Sequence, residues 1–194
     1  MRRSLFLTLG ALALVPLAGC GQSADTVGTA TATATAEKPS SATLTAAIGD
    51  AAGMSTVAAA LKGTGLNTVF DGTAPYTLLA PEDDAFGKLG DTGTMLTAPE
   101  NGAAMAQLLK AHVLPGYMTV ADIDAALTRA KGKPVRITTM AGSEVTFART
   151  GDALTVTAAD GSTAKVSGQE VTASNGVAIP VDAVLKKTPA PSGS

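Results

Sequence analysis

The chain has 194 residues, with 14 Lys and Arg against 16 Asp and Glu, one His and one Cys. A single cysteine excludes an intrachain disulfide, and a single histidine excludes a multi-histidine metal site. A net charge of −2 with no basic stripe argues against nucleic acid as a partner, because affinity for phosphates rests on clustered Lys and Arg.

The amino end opens with the cationic "MRR", continues with the apolar "SLFLTLGALALVP", and closes with the small residues of "LAGC". The apolar run is too short for an ordinary membrane span. This layout resembles a bacterial lipoprotein signal. The resemblance implies a signal peptide over residues 1–19, cleavage before Cys20, and lipid (palmitate) on Cys20, which then ties the protein to a membrane. A cysteine with two or three acyl chains anchors firmly, unlike one myristoyl group. Gly21 follows the cysteine where an Asp would retain such proteins, so the expected location is the outer membrane of the cell envelope, on its periplasmic or surface-exposed side. Loss of Arg2 and Arg3 leaves 14 − 2 = 12 basic residues against 16 acidic ones, a net charge of −4.

Residues 20–41 read as the lipidated Cys20 followed by a disordered Thr- and Ala-rich tether, since "GQSADTVGTATATATAEKPSS" has too little apolar surface to offset chain entropy. The folded part is expected over residues 42–187, with 188–194 as a flexible tail. Its first half is rich in helix formers. "TLTAAIGDAA" is capped by Thr43; "MSTVAAALKGTG", "EDDAFGKLG", "NGAAMAQLLKAH" and "TVADIDAALTRA" follow. Among them "YTLLAP" reads as a buried strand closed by Pro81. From Pro134 onward, period-two alternation predicts strands in "PVRITTM", "SEVTFAR", "ALTVTAA", "TAKVSG" and "VTAS", separated by turns such as the Asp160–Gly161 pair. Asn175 and Gly176 are expected to form a positive-φ turn. Helices followed by an antiparallel meander make an α+β domain.

Three segments in this order resemble a fasciclin (FAS1, beta-Ig-H3) domain: "YTLLAPEDDAFGKL" (76–89), "LLKAHVLPG" (108–116) and "SNGVAIPVDAVLKK" (174–187). The resemblance implies a fasciclin-like α+β fold, with helices beside an antiparallel β-sheet wedge or sandwich, and a role in adhesion. It also marks His112, Val113, Pro115 and Gly116 as a structural or interaction motif. The sequence departs from the family in three places. Ala111 stands where a Tyr often precedes the histidine, Glu82 replaces a capping Thr and leaves Asp83 as an alternative cap, and Ile179 takes the place of a second His. Integrin binding of the animal type therefore does not transfer with the fold.

His112 shares a helical face with Met105, Leu108 and Leu109, at i, i+3, i+4 and i+7, which places it at the buried end of an apolar stripe. It reads as a hydrogen-bonded structural residue with a carboxylate acceptor: Asp83, Asp84 or Asp182. No catalytic motif and no metal set is found, and Met54, Met95, Met105, Met118 and Met140 read as core filler. No cofactor is implied. Tyr76 and Tyr117 are a thin supply of rings for sugar stacking. The sequence thus points to a non-enzymatic, lipid-anchored module that meets an envelope or matrix protein or polysaccharide. The alternative is a ligand-binding or enzymatic accessory lipoprotein acting on envelope polysaccharide or a small apolar ligand.

Overall fold

The computed structural model describes residues 41–186, so the expected signal peptide, Cys20, nearly all of the expected tether and the tail lie outside the described residues. In chain order, α1 (Leu44–Asp50), α2 (Ser55–Gly63) and α3 (Asn67–Phe70) precede β1 (Tyr76–Pro81). Then come α4 (Asp83–Gly87), α5 (Asp91–Thr97), a 3-10 turn (Pro99–Asn101), α6 (Gly102–Ala111), β2 (Val113–Pro115) and α7 (Val120–Arg129). The remainder is strand: β3 (Val135–Thr138), β4 (Glu144–Thr150), β5 (Ala153–Ala158), β6 (Thr163–Lys165), β7 (Val171–Ala173) and β8 (Gly176–Val181).

Thr43 caps α1 as expected, its side chain accepting from the Ala46 amide. α7 begins with a capping box: Thr119 accepts from the Asp122 amide, and the Asp122 carboxylate accepts from the Thr119 amide. The helices α3 and α5 were not legible, because "NTVF" is one turn long and "DTGTMLT" carries a glycine in its middle.

The strands form two four-stranded sheets, β2-β1-β8-β7 and β3-β4-β5-β6. The second is the predicted meander, antiparallel throughout. The first contains a parallel pair, β1 with β8, running from Tyr76↔Gly176 to Pro81↔Val181. The fold is α+β, yet its antiparallel character is not uniform, and "VTAS" leaves the meander to pair with β8 as β7. Parallel central strands have both faces covered, which is why "YTLLAP" is an unbroken apolar run rather than an alternating one.

Alternate residues of β1 and β8 therefore serve two cores. Leu78 and Ala178 face α1, α2 and α6, where Leu44, Ile48, Val57, Leu61, Phe70, Met105 and Leu109 pack. Leu79, Val177 and Ile179 face the meander and α7, meeting Val145, Phe147, Val156, Ile123 and Leu127. Burial of each large side chain contributes about 1.5–3 kcal/mol. The methionines divide: Met54 and Met105 are core, whereas Met95 and Met140 are exposed and fill nothing.

The Asn175–Gly176 turn corrects an expectation, because neither residue has a positive φ. Asn175 acts through its side chain. Its Oδ1 accepts from the Leu44 amide at 2.8 Å, and its Nδ2 donates to the carbonyls of Phe70 (2.6 Å) and Gly72 (2.8 Å). Gly176 is required for close approach, since a Cβ there would lie 2.5 Å from the Tyr76 carbonyl oxygen and 2.8 Å from Leu44 Cδ2.

Candidate functional site

The "LLKAHVLPG" segment spans the end of α6 and all of β2. Met105, Leu108, Leu109 and His112 are all buried on one face, as their spacing predicts. His112 is the C-cap of α6 and has no exposed surface. Its Nδ1 donates to the Leu108 carbonyl at 2.8 Å, the bond that fixes the tautomer, and its Nε2 accepts from the Leu185 amide at 2.9 Å. The partners are backbone groups rather than the expected carboxylates. Asp83 and Asp182 are engaged elsewhere: Asp83 holds Ser55 and Thr56, and Asp182 Oδ1 accepts from the Lys165 amide at 2.7 Å. Burial pushes the His112 pKa down to about 4, against smaller upward pulls from the Leu108 bond and the charge of Asp160, so the ring is neutral at pH 7.

Beyond His112, Val113 and Leu114 are buried and pair with Leu78 and Thr77 of β1. Pro115 is exposed, and Gly116 turns the chain with φ 99°. The buried Thr77 hydroxyl donates to the Gly116 carbonyl (2.8 Å) and accepts from the Met118 amide (2.8 Å), which fixes this exit. Of the four motif residues only Pro115 and Gly116 reach the surface. Tyr76 stacks edge-on against Phe70, with ring centroids 5.5 Å apart, which leaves Tyr117 as the exposed ring.

Asp83 does not cap its own helix. Glu82 is the N-cap of α4, without a side-chain bond, and Asp83 reaches instead to the start of α2, accepting from Ser55 Oγ (2.8 Å) and the Thr56 amide (2.7 Å). Partial burial raises its pKa, but these bonds outweigh that and hold it below the usual carboxylate range. Asp122 and Asp124 separate as their spacing predicts, Asp122 into the capping box and Asp124 into an ion pair with Arg149.

Two large grooves open on the surface of the described residues, besides a smaller one beside Lys165 and Asp182. One, of about 770 Å³, lies between the end of α1 and residues 168–172 and carries the carboxylates of Asp50, Glu82 and Glu170. Glu170 is already occupied, because its Oε2 accepts from the Val120 amide at 2.6 Å. The other, of about 670 Å³, separates α2 from α5 and α6 and is lined by uncharged residues, among them Ala59, Ala60, Leu96 and Met105. His112 lines neither. Among the described residues no three His, Cys, Asp or Glu side chains gather as a metal would need.

The even charge expected from the sequence conceals one concentration. Arg129, Lys131, Lys133 and Arg136 lie within eight residues, all exposed, on the turn from α7 into β3. The signal was present in "RAKGKPVR", but net charge averages it away.

The Fasciclin domain family matches residues 52–187. The chain is 31% identical over 132 residues to protein sll1483 of Synechocystis sp., covering 68% of this chain and 66% of that one. It is 33% identical over 132 residues to transforming growth factor-beta-induced protein ig-h3 of Sus scrofa, covering 67% of this chain and 17% of the relative. The chain thus spans just under two thirds of the cyanobacterial relative and a small part of the porcine one. In structure it resembles the FAS1 domain pair of the insect cell adhesion molecule fasciclin I, with a TM-score of 0.66 and 15% identity over 76% of this chain and 52% of that one. The two-sheet α+β architecture is thus the FAS1 fold, and the chain belongs to the fasciclin domain family.

Proposed function

We propose that this chain is a lipid-anchored adhesion or interaction module of the cell envelope, working by binding rather than by catalysis. The observation that carries the reading is a fasciclin domain preceded in the same chain by "LAGC" and a Thr- and Ala-rich spacer. A relative of the same fold is named a cell adhesion molecule. The one imidazole is sealed in the core with both ring nitrogens bonded, so it has no access to a substrate. Lipid on Cys20 anchors the protein to the outer membrane, and the spacer holds the domain away from it to meet a protein or polysaccharide.

A second reading, a carrier of a small apolar ligand, draws on the uncharged groove between α2 and α6, whose size suits such a molecule.

The test is metabolic labelling with radioactive palmitate in cells expressing the native chain or Cys20→Ser, together with adhesion of those cells to isolated envelope and matrix material. Label and membrane fractionation that depend on Cys20, with adhesion lost in the variant, support the reading. Unlabelled protein or unchanged adhesion rejects it, and co-purification of an apolar ligand with the native chain favours the carrier.

A further inference from the structure

The meander β3-β4-β5-β6 has one face in the core and one in solvent. Val135, Val145, Phe147, Val156 and Ala164 point inward. The register assigns the other face, because residues paired across strands share a side. Arg136 pairs with Thr146, Thr146 with Thr157, and Thr157 with Thr163, a row that crosses all four strands. Thr155 and Lys165 form a second row beside it. Strand spacing makes the first row about 14 Å long, with neighbouring rows about 7 Å apart. The result is a surface rich in threonine with no large apolar side chain, on which the Thr155 hydroxyl is held by the Ala148 carbonyl.

This face is charged at one end. Arg136 lies near the start of β3, one edge strand of the sheet, and Lys165 closes β6, the opposite edge. The turn carrying Arg129, Lys131 and Lys133 leads into β3 and adds three cations at the Arg136 edge. The only ion pair among the described residues is Arg149 with Asp124, on the inward side, so it neutralises none of these cations. Of the carboxylates, Glu144 lies on the face one row from Arg136, Asp160 sits in the β5–β6 turn, and Asp182 accepts from the Lys165 amide at the β6 edge, so the cations gather at the β3 edge.

We propose that the outer face of this meander, with its basic edge, is a docking surface for an acidic polysaccharide. The cations match carboxylates or sulfates on the polymer, and the threonine rows offer hydroxyls to its ring oxygens and hydroxyls along an extended length. A membrane surface fits less well, since nothing on the face is apolar enough to enter lipid. The inference rests on the interaction-module reading and gives it a partner class and a place.

The experiment measures binding of the full chain, in detergent, to polygalacturonate, with neutral dextran, phosphatidylglycerol vesicles and duplex DNA as the other probes. Binding to polygalacturonate and not to dextran is expected, weakened by salt because exposed charges are screened. Lys131→Glu/Lys133→Glu/Arg136→Glu should weaken it at least tenfold with the melting temperature held. Thr146→Val/Thr157→Val leaves charge unchanged and should weaken it several-fold, more visibly in high salt. Equal binding by the charge variant, equal retention of dextran, or stronger binding to vesicles or DNA overturns the proposal. If polygalacturonate is ignored while Cys20-dependent adhesion persists, this inference falls and the broader reading stands.

Discussion

The ring of His112 joins two distant parts of the chain: Nε2 receives the amide of Leu185, 73 residues later, while Nδ1 holds the last turn of α6. His112→Ala leaves that amide without a partner in the core and removes buried volume. The expected loss is about 1–3 kcal/mol in denaturant unfolding at pH 7.

The same residue sets a pH dependence. Its folded pKa, about 4, lies below the ordinary value of 6.5, so the unfolded chain takes up the proton first. Stability is complete above pH 6.5 and declines as pH falls from there to about 4, by about 3 kcal/mol in all. Unfolding titrations at pH 7 and 4.5 check this, and His112→Ala should flatten the slope.

Asn175 satisfies three backbone groups, on Leu44, Phe70 and Gly72. Asn175→Ala should cost about 2–3 kcal/mol. Asn175→Asp keeps the acceptor for the Leu44 amide but sets a carboxylate against two carbonyls, so it should be no better than alanine. A thermal melt of both variants within measurement error of the native chain would show that the clamp contributes nothing.

Two glycines should respond to alanine with opposite sign. At Gly176 the added Cβ collides with the Tyr76 carbonyl, and neither strand can move without breaking the β1–β8 pairing, so Gly176→Ala should cost several kcal/mol, roughly the scale of core overpacking or more. At Gly49, inside α1, an added Cβ meets nothing within 4 Å. Gly49→Ala should stabilise by about 0.5–1 kcal/mol through lower unfolded-chain entropy. Equilibrium unfolding of the pair checks both signs.

Asp83→Ala should cost about 1–2 kcal/mol by freeing the first amides of α2. Because the folded pKa is lowered, the native carboxylate's contribution is present above its ordinary value of 3.8 and lost as pH falls below it. Amide hydrogen exchange at Ser55 and Thr56 should accelerate in the variant.

What could be read ahead of the structure followed from local physics. The period of Met105, Leu108, Leu109 and His112 located the buried face of α6, and alternation in Val145 to Phe147 and Leu154 to Val156 located the meander. The rest depends on residues far apart in sequence. Nothing near His112 names Leu185 as its partner, since a backbone amide carries no sequence signature. Asp83 looked like a local cap because its reach to Ser55 is set by tertiary packing. The parallel placement of β8 beside β1 has no local cue either, though the unbroken apolar runs of both strands are its imprint.

The position of β8 bears on how such a chain is made. β8 pairs at the centre of the first sheet with β1, which is synthesised about a hundred positions earlier. Until Gly176–Val181 are available, neither core has its dividing wall, and the amino-terminal helices have nothing to close upon. The domain therefore closes only once β8 has been made, with the slow final step expected of long-range pairing. That dependence means that a chain cut just before Gly176 would yield no partial domain.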